Sequence, residues 1–202
     1  MAPAELTKFQ RNLRDLNYTR ARMEDLFQAE KIVRRDLDTV YESLFLRGVT
    51  SFESFVEDLF ISILERRTRY KPARHVSLHM KTVSHEALMA ILLQGDQYLK
   101  WLPFKETERR ARLYLIDGKP FTELDNGDKS VVQTINTIRN AIAHRSKYAM
   151  SEFQTKVIGS HSLLPREKNP AGYLQSRIGT DGSPTRFEVY IQVLGKVAMT
   201  LC

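Results

Sequence analysis

A single cysteine, Cys202, is present among 202 residues. One thiol forms neither an internal disulfide nor a thiolate cluster for zinc, which excludes a disulfide-stapled secreted scaffold and a cysteine-based zinc module. No stretch of about 18 apolar residues occurs, and Met1 to Lys8 has no apolar core of signal-peptide length. Membrane insertion and secretion are therefore not expected, and a reducing cytoplasm is the expected location. Glycine and proline are also scarce, at 9 and 7 residues. After Pro3 the next proline is Pro72, so long segments carry nothing that would interrupt a helix. Low-complexity tracts, internal repeats and a recognisable linker are all missing.

What remains is a chain with 42% hydrophobic residues, enough for one sizeable core, and its length favours one domain over residues 1–202. The formal charge of +7 attracts polyanions such as RNA, since each neutralised phosphate releases counterions. A charge of this size also serves simple solubility, and composition does not separate the two uses.

Hydrophobic periodicity predicts an all-α fold, an antiparallel helical bundle with a loop-rich C-terminal segment and a final helix. From Ala4 to Leu46 the chain lacks glycine and proline, and Leu26, Ile32, Val33, Leu37, Val40 and Leu44 recur at helical spacing, giving one long helix or two in sequence. The first thirty residues are the less defined part of this stretch. Gly48 is expected to end it, with Thr50 or Ser51 capping a second helix that runs to about Tyr70. On that helix Phe52, Phe55, Val56, Leu59, Phe60 and Ile63 share a face too apolar for water. A short helix is expected over Ser84 to Leu93, another over Glu106 to Ile116, and a turn at Asp117-Gly118-Lys119-Pro120. Asp128 is expected to cap a helix reaching about Lys147. Residues 159–186 read as loop, and Phe187 to Leu201 as the last helix.

The helix from Asp128 to Lys147 carries the chemistry. At about 100° per residue, Val131, Ile135, Ile138 and Ile142 form an apolar stripe, while Asn136, Asn140, His144 and Lys147 lie opposite and Arg139 borders both. Such a face offers donors for a phosphate and one side chain of the type that exchanges protons near neutral pH. That is the minimum equipment for cleaving RNA. Glu53, at the edge of the apolar arc of the second helix between Phe60 and Leu64, needs a partner if buried, and Arg139 is the candidate.

Ile138-Arg139-Asn140-Ala141-Ile142-Ala143-His144-Arg145 resembles the arginine, polar residue, three residues, histidine signature of HEPN ribonucleases. Gly48 to Phe60 resembles the second helix of the RiboL-PSP branch of that family. Further similarity lies in Tyr98 to Trp101, in Gly118-Lys119-Pro120-Phe121 and in Asn169-Pro170-Ala171-Gly172-Tyr173-Leu174, so the resemblance covers most of the chain after about residue 30. It implies a metal-independent endoribonuclease without a cofactor, working as a homodimer whose two motifs meet in one composite cleft. It implies a bacterial toxin or antiphage setting, with an antitoxin or defence-system partner. By the same resemblance, His144 moves the proton, Arg139 holds the scissile phosphate and Asn140 orients the phosphate or His144. The products are then a 2′,3′-cyclic phosphate and a 5′-hydroxyl. Glu53 is the supporting residue, and Asn136 and Lys147 are further candidates for RNA contact.

Plainer roles stand beside these. Arg139 and Glu53 also suit a structural salt bridge between helices, and His144 suits a cation near a helix C-terminus. Asn136 and Lys147 read more readily as a solvated face. A HEPN module that binds RNA, a nucleotide or a partner protein without cutting is the competing function, and a structural partner of another subunit is a third. Arg74 to His79 matches the bare spacing but follows Pro72 and has His75 at the polar position, so it is set aside. The basic runs Arg66-Arg67-Thr68-Arg69 and Glu108-Arg109-Arg110-Ala111-Arg112 rank below the motif. Among His75, His79, His85 and His161 no pair combines helix-face ligand spacing with supporting carboxylates on a well-defined helix, and no metal site is expected.

Overall fold

The computed structural model describes residues 3–65, 84–160, 162–179 and 182–202. The fold is all-α, with eight α-helices and no strand among the described residues. α1 (Ala4–Gln28) turns Leu6, Phe9, Leu13 and Leu16 inward at three- and four-residue spacing, the period that makes one face of a helix. A short turn follows, with Glu30 at φ 55, and α2 (Arg34–Leu64) begins where the Asp36 carboxylate accepts the Val33 amide proton at 3.2 Å. The stretch expected as one helix or two is therefore two. Rising numbers in α1 meet falling numbers in α2. Lys8 reaches Asp58, Phe9 stacks on Phe55 and Tyr41 bonds Glu24, so the pair is antiparallel.

α2 does not end at Gly48, and neither Thr50 nor Ser51 caps a new helix. A Cβ on Gly48 would stand 2.7 Å from Ile191 Cδ1 and 3.3 Å from Leu16 Cδ1. Gly48 thus lies where side chains of both α1 and α8 (Arg186–Leu201) pack closely on α2, and packing there offsets the roughly 1 kcal/mol that glycine costs a helix. The helix stops at Leu64 rather than near Tyr70. Arg66–Arg69, Arg74, His75 and His79 lie outside the described residues.

α3 (His85–Leu93), capped by the Ser84 hydroxyl, and α4 (Phe104–Tyr114) agree with expectation to within two residues. The turn at Asp117 and Gly118, with φ of 59 and 68, follows a 3-10 start at Ile116. α5 (Asn126–His144) is capped by Asp125, whose Oδ1 accepts the Asp128 amide proton at 2.7 Å. Asp128 is not the cap. Its buried carboxylate instead receives Lys196 of α8 at 2.8 Å. α5 also ends three residues early, because Arg145 turns left-handed at φ 48 and Ser146 caps α6 (Lys147–Phe153).

The segment expected to be loop contains structure. A 3-10 turn at Pro165–Lys168 leads through the Asn169 cap into α7 (Pro170–Gln175), which packs Tyr173 and Leu174 into the core. The final helix matches expectation. One hydrophobic cluster draws side chains from all eight helices, centred on α2, where nearly every residue from Phe55 to Leu64 except Glu57 and Asp58 is buried.

Gly172 is where the short helices meet. A Cβ there would stand 1.9 Å from the Arg166 carbonyl oxygen and 2.9 Å from its carbon, both backbone atoms that cannot swing aside. Gly172→Ala is expected to lose about 2 kcal/mol by overpacking, read as a lower urea midpoint at constant m. An unchanged midpoint would show that α7 moves freely against the 3-10 turn.

Candidate functional site

α5 buries Val132, Ile135, Ile138, Ala141 and Ile142 and is amphipathic as expected, with Val132 buried and the half-buried Val131 packed against the core beside it. Its other side faces α2 across a cleft of about 610 Å³. Asn136, Asn140 and His144 line it at four-residue intervals, with Arg139 beside them. α2 supplies the opposite wall through Thr50, Glu53, Ser54, Glu57 and Asp58, and the segment 98–103 closes one end.

Four of the expected site residues, Arg139, Asn140, His144 and Asn136, therefore meet in one place with Glu53. Asn136 departs from the solvated role expected of it, being only 8% exposed. The helical angle places it opposite the stripe correctly, but that position lies inside the cleft, among residues of α2 and of the segment 98–103. His144 is exposed at the open end of the cleft. Lys147 does not join them, since the chain reverses at Arg145 and Lys147 is the exposed first residue of α6.

Arg139 donates from Nη1 to Asn140 Oδ1 at 3.0 Å, which orients both side chains. Its Nη2 stands 3.9 Å from Glu53 Oε2, an electrostatic approach rather than a hydrogen bond. The expected pair is thus present, with side-chain exposures of 31% and 23%, and solvent screening limits it to about 1 kcal/mol or less. Burial pushes the Glu53 carboxyl upward in pKa, Arg139 opposes that, and Glu57 one turn away adds to it.

The acidic row on α2 is met from three directions. Arg139 of α5 faces Glu53, Trp101 Nε1 donates to Glu57 at 2.6 Å, and Lys8 of α1 reaches Asp58 at 3.2 Å. Glu57, Tyr98, Lys100 and Trp101 received no role from the sequence. Glu57 was accessible by its one-turn spacing from Glu53. For the loop residues the sequence signal was the family resemblance over Tyr98 to Trp101, and the structure leaves Tyr98 and Lys100 exposed with Leu99 and Trp101 buried.

The basic run on α4 is occupied locally. Arg109 pairs with Glu106 at 2.9 Å, and Arg110 stacks 4.7 Å over the Trp101 ring while donating to the Lys100 carbonyl. His85 bonds Glu65 at 2.7 Å, away from the cleft, and His161 lies outside the described residues. Among the described residues, no group of three or more His, Cys, Asp or Glu side chains forms a metal site, and no helix is long and apolar enough to cross a membrane. Comparison with protein-family models, curated proteins and solved structures finds no match to the chain.

The raised Glu53 pKa has a consequence for stability. A carboxyl more readily protonated in the fold contributes stability that is fully present below the ordinary glutamate pKa of about 4.3 and is lost as pH rises through the folded value. Urea unfolding of the parent and Glu53→Gln across that range is expected to show the parent losing stability relative to the variant as pH rises. A difference independent of pH would mean that Arg139 fully offsets the burial.

Proposed function

We propose that this chain is a metal-independent endoribonuclease of the HEPN type. The observation that carries the reading is the convergence of Arg139, Asn140, Asn136 and His144 in one polar cleft, at the positions that match the family's motif. Cleavage starts when the 2′-hydroxyl oxygen attacks phosphorus, giving up its proton as the P–O5′ bond breaks and the leaving oxygen takes one. A 2′,3′-cyclic phosphate and a 5′-hydroxyl result, with no water consumed. Arg139 opposes the charge growing on the non-bridging oxygens through its planar fork. Asn140, bonded to Arg139, holds that fork in register.

The cleft contains one histidine among the described residues, while the reaction needs one group to accept a proton and another to donate one. A second copy bringing its own His144 to the cleft would supply the other group, and the exposure of His144 is compatible with such a homodimer with a composite site. A cytoplasmic setting in bacterial toxin or antiphage defence, with an antitoxin or defence partner, belongs to the same proposal and rests on the resemblance in sequence.

Purified protein incubated with mixed cellular RNA in EDTA is expected to release fragments with cyclic phosphate ends. His144→Ala is expected to slow this by at least about a hundredfold. Arg139→Lys is expected to lose most of the activity, because an ammonium cannot reproduce a bidentate fork. Equal cleavage by parent and His144→Ala would overturn the assignment. RNA bound but left intact by the parent would point instead to a non-catalytic binding module.

A further inference from the structure

The cleft has an aromatic residue on its rim that the cleavage chemistry does not use. Tyr98 is 66% exposed, although large aromatic side chains in this chain are mostly in the core. The other ring lining the cleft, Trp101, is 2% exposed, donates its Nε1 proton to Glu57 and is covered on one face by Arg110. It has no face to offer a ligand, and Tyr98 has.

The segment carrying Tyr98 is fixed to the body of the protein. Leu99 and Trp101 are buried, the Lys100 carbonyl accepts from Arg110 at 2.8 Å, and the Trp101 carbonyl accepts from the buried Thr107 hydroxyl at 2.6 Å. With Leu99 and Trp101 buried, Tyr98 and Lys100 are left exposed, and both line the cleft. The pair therefore presents an aromatic ring and a cation two residues apart, on the rim of the cleft whose wall holds Arg139.

We propose that Tyr98 is a stacking platform for a nucleobase next to the scissile phosphate, with Lys100 on the adjoining backbone, and that the substrate is therefore single-stranded RNA. This rests on the ribonuclease reading and specifies its substrate class. Bases in a duplex are stacked on one another and have no free face, whereas unpaired bases stack on exposed aromatic rings largely regardless of sequence. Attack by the 2′-hydroxyl also requires the ribose-phosphate to rotate into line with the leaving oxygen, which an unpaired strand does freely.

The test uses the intact chain and a 2′-O-methyl RNA, which lacks the attacking hydroxyl and stays uncut. Fluorescence anisotropy of the single strand, and of the same strand annealed to its complement, is measured with the parent, Tyr98→Ala and Tyr98→Phe. Tyr98→Ala is expected to weaken single-strand binding roughly tenfold. Tyr98→Phe should bind like the parent, and the duplex should bind more weakly and respond little to either change. Equal single-strand binding by parent and Tyr98→Ala, equal losses on single strand and duplex, or no RNA binding at all would overturn the proposal. Cleavage in EDTA is scored separately. Cutting that persists while Tyr98→Ala binds normally refutes the platform and keeps the ribonuclease. A Tyr98-dependent single-strand preference without cutting refutes the ribonuclease and keeps the platform.

Discussion

Burial of the aromatic face of α2 is the constraint on which the rest of the structure depends. Phe52, Phe55 and Phe60 are buried within a helix that touches α1, α5, α7 and α8, and each contributes about 1.5–3 kcal/mol by leaving water. The Arg139 and Glu53 pair, partly exposed and 3.9 Å apart, contributes about 1 kcal/mol at most. Burial therefore sets the roll of α2 about its axis, and the ion pair follows. Rotating α2 by one residue, about 100°, would bring a phenylalanine to the cleft wall and send Glu53 into the core. Glu53 and Glu57 line the cleft because the aromatic residues on either side of them have claimed the interior.

A second set of contacts sets the tilt of the neighbouring helices. Arg20 on α1 donates to Glu24 of its own helix and to Glu188 of α8, while Tyr41 of α2 donates to Glu24, so three helices share one largely buried polar cluster. Burial and the Glu24 carboxylate raise the Tyr41 phenol far above its ordinary pKa, keeping it a neutral donor. Lys196 joins the other end of α8 to Asp128 in the first turn of α5. Directional groups of this kind restrict which of several apolar packings the bundle adopts, a specificity that hydrophobic contact alone does not supply. Through α8 the cluster at Arg20 constrains α5, and with it the register of Asn136, Arg139, Asn140 and His144.

The parts legible in the sequence were those dictated by local periodicity. The faces of α2 and α5 follow from the spacing of their apolar residues, and the Glu53 and Arg139 pairing followed from asking what a carboxylate at the edge of an apolar arc would need. The errors have two causes. Gly48 resembles a helix stop until the close approach of Ile191 is known, a contact 143 positions away in the chain. Asn136 is polar and opposite the stripe, which reads as solvated unless the cleft it lines is known. Asp125 and Asp128 are both good caps, and only Lys196 shows which of them is needed elsewhere. Lys147 was misplaced because the reversal at Arg145 uses a left-handed arginine, with no glycine to announce it. The first three misses are tertiary contacts overriding a valid local preference, and the fourth is a local backbone reversal without its usual residue.

Charge in the cleft determines how the proposed substrate enters. Among the described residues Asp58 pairs with Lys8, in an exposed bridge at 45% and 69% side-chain exposure that screening leaves weak. The α1 side of the cleft thus keeps a negative edge. Lys100 and Arg139 lie toward the loop and α5, and His144 lies at the open end. On the proposed function, a polyanion would be repelled from the Asp58 edge and attracted toward Lys100 and Arg139. With Glu53 and Glu57 engaged by Arg139 and by the indole of Trp101, the acidic wall would confine the phosphate to the α5 side without excluding it from the cleft. Under the proposed reading, the row of carboxylates on α2 would be the wall that keeps an RNA backbone on the side where Arg139 and His144 stand.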